Sequence, residues 1–271
     1  MAIQYVLWYY MPSLIGSIVM TTYFGVASLA HLVRLVQTRS RFCVPAVIGG
    51  IFEAVGHSAR TVAHFHTDKT LPYAIQSLLI LLGPILFAAS TYMILQRLIR
   101  AIKGGSHSLI PSHWITKVFI GGDMLCFIIQ GAGGGVLSGA KTHSRVKLGE
   151  YIILAGLVLQ IVVFGFFVIV AADFHSRARH SPAISATNIP WQRCLCILYF
   201  ISILISVRNI FRVVEYVWGS SGYALRHEWT LYIFDGALMA AVVLVCLTWY
   251  SVDFTAPRTA SQRHNDEEAK R

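Results

Sequence analysis

Seven long apolar runs constrain the fold of this chain more than any other feature. A bilayer core about 30 Å thick needs roughly 20 apolar residues in helix. The seven predicted spans are Pro12 to Val36, Val44 to Phe65, Leu71 to Leu98, Ile115 to Leu137, Leu148 to Ala172, Trp191 to Val214 and Trp229 to Val252. Barrel strands alternate in polarity over about ten residues, whereas these runs are continuously apolar. The sequence therefore predicts an all-α integral membrane bundle of seven transmembrane helices.

Composition supports a bilayer as the main partner. Of the 271 residues, 56% are hydrophobic and 13% are charged, whereas about a quarter of a soluble domain is charged. The net charge of +10 is compatible with nucleic-acid binding, so the placement of Lys and Arg decides the matter. They form short clusters between the apolar runs, which is typical of loops that set membrane orientation. We therefore expect a multi-pass membrane protein with no nucleic-acid partner.

The basic residues also predict orientation and domain limits. An outer N-terminus places most loop Lys and Arg on the cytoplasmic side, including Arg34, Arg39 and Arg41 after the first span. The positive-inside rule therefore favours an outer N-terminus and a cytoplasmic C-terminus. We predict one transmembrane domain over residues 1–254 and, because residues 255–271 are polar with mixed charge, a disordered cytoplasmic tail.

Four spans carry polar and ionisable residues at helical spacing. An ionised side chain near the bilayer centre costs about 2.5 to 3.5 kcal/mol, so such groups face the bundle and have partners. Side chains three, four or seven residues apart lie on one helical face. The residues are Glu53, His57 and Arg60 in span two, Asp123 and Gln130 in span four, Arg208, Arg212 and Glu215 in span six, and Glu228 and Asp235 in span seven. We predict that these ten line a shared ligand or translocation chamber.

The acids in this set outnumber the arginines. The set contains five acids and three arginines, so at least one acid is neutral, exposed at a span end or reserved for a ligand. The alternative is a set of buried salt bridges that fix helix register and bind nothing. Arg212 and Glu215 favour that alternative locally, since their spacing allows a pair within one helix.

Span four continues from Gln130 into a glycine-rich stretch, Gly131-Ala132-Gly133-Gly134-Gly135. Each glycine weakens a helix by about 1 kcal/mol relative to alanine. The stretch indicates either close packing against a neighbouring helix or an unwound segment that offers backbone groups to a ligand.

Motifs for metal, haem or nucleotide binding are not recognisable in the sequence. His31 and His57 are the histidines well inside spans, and either could ligate haem iron or relay protons. His64 and His66, in an outer loop, are interpreted as incidental. No CxxCH, HExxH or Walker motif occurs. We expect no metal and no cofactor, with haem kept as an alternative.

Three linked motifs run through spans two, four, six and seven. They are Glu53-x2-Gly56-x3-Arg60; Gly122-Asp123-x6-Gln130 with its glycine-rich continuation; and Arg208-x3-Arg212-x2-Glu215-Tyr216 followed by Gly222-Tyr223-x4-Glu228-x6-Asp235. Together they resemble the motifs of the RTA-like lipid-translocating exporters of fungi. The resemblance implies a seven-span protein of the plasma membrane that exports or flips sphingoid bases, sterol-like drugs, toxic amphiphiles or tetrapyrroles, and a link to drug resistance. His57 stands where many members of that family have an aromatic residue such as tyrosine.

The resulting hypothesis is a translocator of amphipathic, lipid-like molecules whose headgroup enters the charged chamber. A seven-helix receptor or lipid sensor is one alternative, although Leu95-Gln96-Arg97-Leu98 replaces the Asp-Arg-Tyr type triplet after span three. An intramembrane enzyme using paired acids, or a haem- or tetrapyrrole-binding protein, is the other. An enzymatic role is disfavoured because no nucleophile or metal set is recognisable.

Overall fold

The structure is a computed structural model that describes residues 11–66, 70–102, 109–140, 142–181, 190–218 and 227–251. The long helices are α1 (Leu14–Thr38), α2 (Val44–Phe65), α3 (Thr70–Ala101), α4 (Ser112–Ser138), α5 (His143–Arg179), α6 (Trp191–Trp218) and α7 (Glu228–Tyr250). All seven are long and apolar enough to cross a membrane, and no strand occurs in the described residues. The predicted all-α architecture of seven membrane helices is thus confirmed.

Helix α5 differs most from its predicted span. It has 37 residues and is therefore about 55 Å long, well beyond the thickness of the hydrocarbon core. Its last turn carries Arg177 and Arg179, as expected for a helix end that leaves the apolar layer. The predicted tail, residues 255–271, and the Gly222-Tyr223 part of the third motif lie outside the described residues.

Helix α3 forms the centre of the bundle. It packs against α2, α4, α6 and α7 and is the most buried of the seven spans. Helix α1 lies at the periphery, against α2 and α7, and is the least buried span. Large apolar side chains such as Ile15, Val36 and Val162 cover the outer surface, as expected where lipid is the solvent.

The tightly packed part of the interior is aromatic. Tyr92 on α3 contacts Phe119, Phe164 and Phe167, with ring centroids 5.4, 6.2 and 4.5 Å away. These rings join α3, α4 and α5 into one packed unit. Trp249 at the end of α7 is also fully buried in this core.

The glycine-rich stretch of span four remains helical. Helix α4 continues to Ser138, so the backbone is not unwound at these glycines. A Cβ atom on Gly133 would lie 2.9 Å from the Ile153 amide nitrogen and 3.0 Å from the Gly149 carbonyl oxygen on α5, while Gly131, Gly134 and Gly135 have open space. One glycine of the stretch therefore permits the close α4–α5 approach.

Candidate functional site

The structure brings together charged residues of α2, α6 and α7, with α3 beneath them. We define the charged cluster as Glu53, His57, Arg208, Arg212, Glu215 and Asp235. Glu53, Arg208 and Asp235 are at most 1% exposed, whereas the side chain of Arg212 is 15% exposed. Helix α2 contributes Glu53 and His57, α6 contributes Arg208, Arg212 and Glu215, and α7 contributes Asp235.

Asp235 joins the two arginines of α6. Arg208 Nε donates to Asp235 Oδ1 at 2.5 Å, and Arg212 Nη2 donates to Asp235 Oδ2. Arg212 also forms the pair with Glu215 that the three-residue spacing predicts, at 2.9 Å. Both oxygens of one buried carboxylate are therefore satisfied by guanidinium groups, which is the arrangement that makes a buried charge tolerable.

Asp235 lies in a π-helical segment that the sequence analysis did not anticipate. Helix α7 is α-helical over Glu228–Leu231, π-helical over Tyr232–Ala237 and α-helical again over Leu238–Cys246. Segments of this kind occur mostly as single turns and often at functional sites. Gly236, which follows Asp235, is the local signal in the sequence for weakened helix propensity.

Helix α3 supplies a backbone acceptor through Pro84. Proline has no N–H, so it cannot donate to the carbonyl four residues earlier, which belongs to Ile80. Arg208 Nη2 donates to this Ile80 oxygen at 3.2 Å. This role of Pro84 was not predicted, although a proline inside an apolar run is a recognisable signal for a free carbonyl.

Glu53 lies over Gly83 of α3. A Cβ atom on Gly83 would lie 2.5 Å from Glu53 Oε1, so the missing side chain makes room for the carboxyl group. Glu53 Oε1 is buried and has no hydrogen-bond partner among the described residues. The other carboxyl oxygen, Glu53 Oε2, lies 3.8 Å from His57 Nε2. Among the described residues, no arginine lies within salt-bridge distance of Glu53.

His57 is held between two aromatic rings. It stacks on Phe24 of α1, with centroids 5.7 Å apart, and faces Tyr232 of α7 at 6.3 Å. Both imidazole nitrogens are buried without a hydrogen-bond partner in the described ranges. By contrast, the nitrogens of His31 lie near Tyr250 Oη (3.3 Å) and the Val243 carbonyl (2.9 Å). Of the two histidines predicted inside spans, His57 is thus the one whose ring nitrogens can take up a proton or a ligand without losing a hydrogen bond.

A second polar group ties three helices together where α1 begins. We call Ser13, Arg60, Glu228 and Tyr232 the end network. Arg60 Nη2 donates to Glu228 Oε1 at 2.6 Å, and the Ser13 amide donates to both Glu228 oxygens at 2.8 Å. Tyr232 Oη donates to Glu228 Oε1 at 3.0 Å. The end network joins α1, α2 and α7.

Asp123 and Gln130 lie elsewhere than the other eight predicted residues. Asp123 accepts a 2.7 Å hydrogen bond from Tyr92 of α3, and Gln130 donates to Gln160 of α5 at 2.9 Å. These two residues lie apart from the charged cluster because α3 packs between α2 and α4, so the polar face of α4 meets α3 and α5. A ligand role for Asp123 and Gln130 stays a prediction.

The ion pairs resolve the imbalance noted in the sequence. Arg60 pairs with Glu228, and Arg208 and Arg212 share Asp235, with Glu215 as an additional partner of Arg212. Three arginines thus match three acids. Glu53 and Asp123 are the predicted site acids outside these pairs.

An apolar groove opens on the membrane-facing surface between α1 and the end of α7. Its volume is about 550 Å³, and its lining is Val26, Leu29, Ala30, Val33, Arg34 and Leu247. It shares no residue with the charged cluster.

Seven membrane helices with a buried set of ion pairs and the buried Glu53 carboxyl group between them define a polytopic membrane protein with an internal polar site. The chain belongs to the RTA1-like protein family, whose model matches residues 46–258. This assignment confirms the resemblance found in the sequence.

Relatives from Saccharomyces cerevisiae include Protein RTM1, 37% identical over 84% of this chain and 74% of the relative. Protoporphyrin uptake protein 1 is 37% identical over 74% of this chain and 66% of the relative. Sphingoid long-chain base transporter RSB1 is 26% identical over 90% and 72%. No solved structure matches the chain.

Proposed function

We propose that the protein moves an amphipathic, lipid-like molecule across the membrane, with the headgroup in the charged cluster and the tail in lipid. The observation that carries the proposal is Glu53, a fully buried carboxyl group that has no arginine partner among the described residues and lies in an otherwise balanced cluster. A membrane protein keeps such a group only at an energetic cost, and such groups mark substrate or ion pathways.

The charge of the cluster favours a cationic headgroup. With the three arginines matched by Glu228, Asp235 and Glu215, an ionised Glu53 gives the site one excess negative charge. An ammonium group would supply the missing partner and three N–H donors. The name of the relative RSB1, a transporter of sphingoid bases, supports the same class of substrate.

Helix α1 is the part of the bundle whose displacement would expose Glu53 and His57 to lipid. It covers the α2–α7 face through Phe24, which stacks on His57, and through Ser28, which lies against Gly50. Its start is held by the end network. In the proposed cycle, α1 separates from α2 and α7 so that a headgroup enters sideways from the bilayer.

The proposal includes the plasma membrane as location and an outer N-terminus, as the distribution of loop Lys and Arg predicts. The end network would then lie on the outer side of the membrane. The clustered basic residues of the opposite end, including Arg34 and Arg39, would meet anionic lipid headgroups of the cytoplasmic leaflet.

Reconstituted vesicles test this function. Sphinganine with a fluorophore at the end of its chain is the cationic probe, and protoporphyrin, named for one relative, is the anionic comparison. We expect protein-containing vesicles to equilibrate the sphinganine probe between leaflets faster than empty vesicles. Glu53→Gln should slow this movement by about tenfold or more, since it removes a buried countercharge.

Asp173→Asn is the matched control, since Asp173 is a carboxylate on α5 in an exposed ion pair with Arg177. Its transport rate should equal that of the unmodified protein. Equal rates in protein-containing and empty vesicles for both probes would refute translocation. Movement of protoporphyrin alone would refute the cationic headgroup.

A further inference from the structure

We propose that Glu53 and His57 together hold one exchangeable proton, and that a cationic headgroup displaces it, so that the protein exchanges protons for substrate cations without net charge movement. This inference rests on the proposed function and adds its energy source. It derives from two neighbouring buried groups, of which Glu53 Oε1 and both His57 nitrogens have no hydrogen-bond partner among the described residues.

Before substrate binds, the burial of Glu53 and His57 determines the charge of the pair. Glu53 Oε1 and both nitrogens of His57 are buried without hydrogen-bond partners among the described residues, and Glu53 Oε2 lies 3.8 Å from His57 Nε2. An isolated ionised carboxylate in a low-dielectric interior is strongly disfavoured. One proton on the pair, on either the carboxyl group or the imidazole, makes the pair neutral.

The charged groups around Glu53 and His57 already have partners of their own. The charged groups that interact with it are Asp235 of α7, Arg208 and Arg212 of α6, and Arg60 of α2 itself. These four are already engaged in ion pairs. Tyr232 of α7 faces His57, α1 contributes Phe24, and α3 contributes Gly83. The pair is therefore the part of the cluster that can change its proton content without breaking an arginine pair.

Substrate binding exchanges the proton of the pair for an ammonium group. A substrate ammonium approaches the pair, the proton leaves the carboxyl group or the imidazole for water, and the Glu53 carboxylate forms an ion pair with the ammonium beside a neutral His57. One positive charge enters the site and one leaves, so the cluster stays neutral in both states. Because the proton and the cation compete for the same carboxylate, a proton gradient drives the substrate in the opposite direction.

Proton release on binding gives a direct test with purified full-length protein. The protein is placed in weakly buffered detergent with a pH-sensitive dye and titrated with N,N,N-trimethylsphinganine. This probe carries a permanent charge, so it cannot itself supply a proton. We expect proton release equal to the amount of probe bound, and no release for protein without probe.

Variants assign the release to the pair. Glu53→Gln should abolish proton release and weaken probe binding by about tenfold or more, whereas Asp173→Asn should leave both unchanged. Infrared difference spectra of the unmodified protein provide a readout that needs no variant. Probe addition should convert a protonated carboxyl band into carboxylate absorption if Glu53 holds the proton, or remove an imidazolium band if His57 holds it.

Vesicles complete the test. A pH gradient should drive accumulation of the permanent cation on the acidic side, and an imposed membrane potential should leave the rate unchanged. Binding without proton release, or transport that follows the membrane potential, would overturn proton exchange and leave the translocator function standing. Absence of both binding and transport for the sphinganine and protoporphyrin probes would overturn both proposals.

Discussion

At the scale of single residues, two adjacent positions of α3 shape the site without carrying charge. Gly83 leaves the space in which the Glu53 carboxyl group lies. Pro84 removes the amide that would bind the Ile80 carbonyl, and Arg208 takes that acceptor. An apolar span therefore determines where a carboxyl group and a guanidinium group of two other helices are held.

Gly83→Ala should disturb this arrangement. The added methyl group would overlap Glu53 Oε1, and overpacking of an interior costs about 1 to 3 kcal/mol. We expect a lower melting temperature in detergent and slower movement of the sphinganine probe. Gly121→Ala, at a position with open space, is the control and should be neutral or stabilising by up to about 1 kcal/mol. Equal effects of the two variants would contradict the packing role of Gly83.

At the scale of helices, the π-helical segment of α7 separates two ion-pair groups. Glu228 lies before the segment and contacts α1 and α2, whereas Asp235 lies within it and contacts α6. Their seven-residue spacing predicts one face of a regular helix. The structure gives them different neighbours, so one helix connects the end network and the charged cluster.

Asp235→Asn tests the dependence of α6–α7 packing on this carboxylate. The change removes the partner shared by Arg208 and Arg212, and breaking a buried pair costs about 3 to 5 kcal/mol. For a protein of this size, we expect the melting temperature to fall by roughly 6 °C or more. Asp173→Asn breaks an exposed pair and should cost about 1 kcal/mol or less. A melting temperature unchanged by Asp235→Asn would show that the pair does not stabilise the fold.

At the scale of the whole molecule, the bundle has a tightly packed side and a side covered by one peripheral helix. Helices α3, α4 and α5 are joined by aromatic contacts and the close approach at Gly133. Helix α1 is the least buried span and covers His57. In the proposed transport cycle, α1 is therefore the helix that moves to give lateral access.

A disulfide between α1 and α2 tests this assignment. A Cβ atom on Gly50 would lie 3.6 Å from Ser28 Cβ, within the usual range for a disulfide. We expect oxidised Ser28→Cys/Gly50→Cys protein to lose movement of the sphinganine probe and to regain it on reduction. The single variants Ser28→Cys and Gly50→Cys, treated in the same way, separate the cross-link from overpacking. Full activity of the cross-linked protein would exclude separation of α1 from α2 at this level.

The sequence alone determined the number of membrane helices, their approximate limits, the family and the residues of the polar stripes. This was possible because lipid requires long apolar helices, and because charge within them is rare enough to stand out. The tertiary structure decided which charges meet. Within the described ranges Glu53 has no arginine partner, and Asp123 faces Tyr92, because the position of α3 in the bundle determines the neighbours of each helix face. The spacing of residues along a helix predicts which of them share a face, but only the packing of the bundle determines which helix that face contacts.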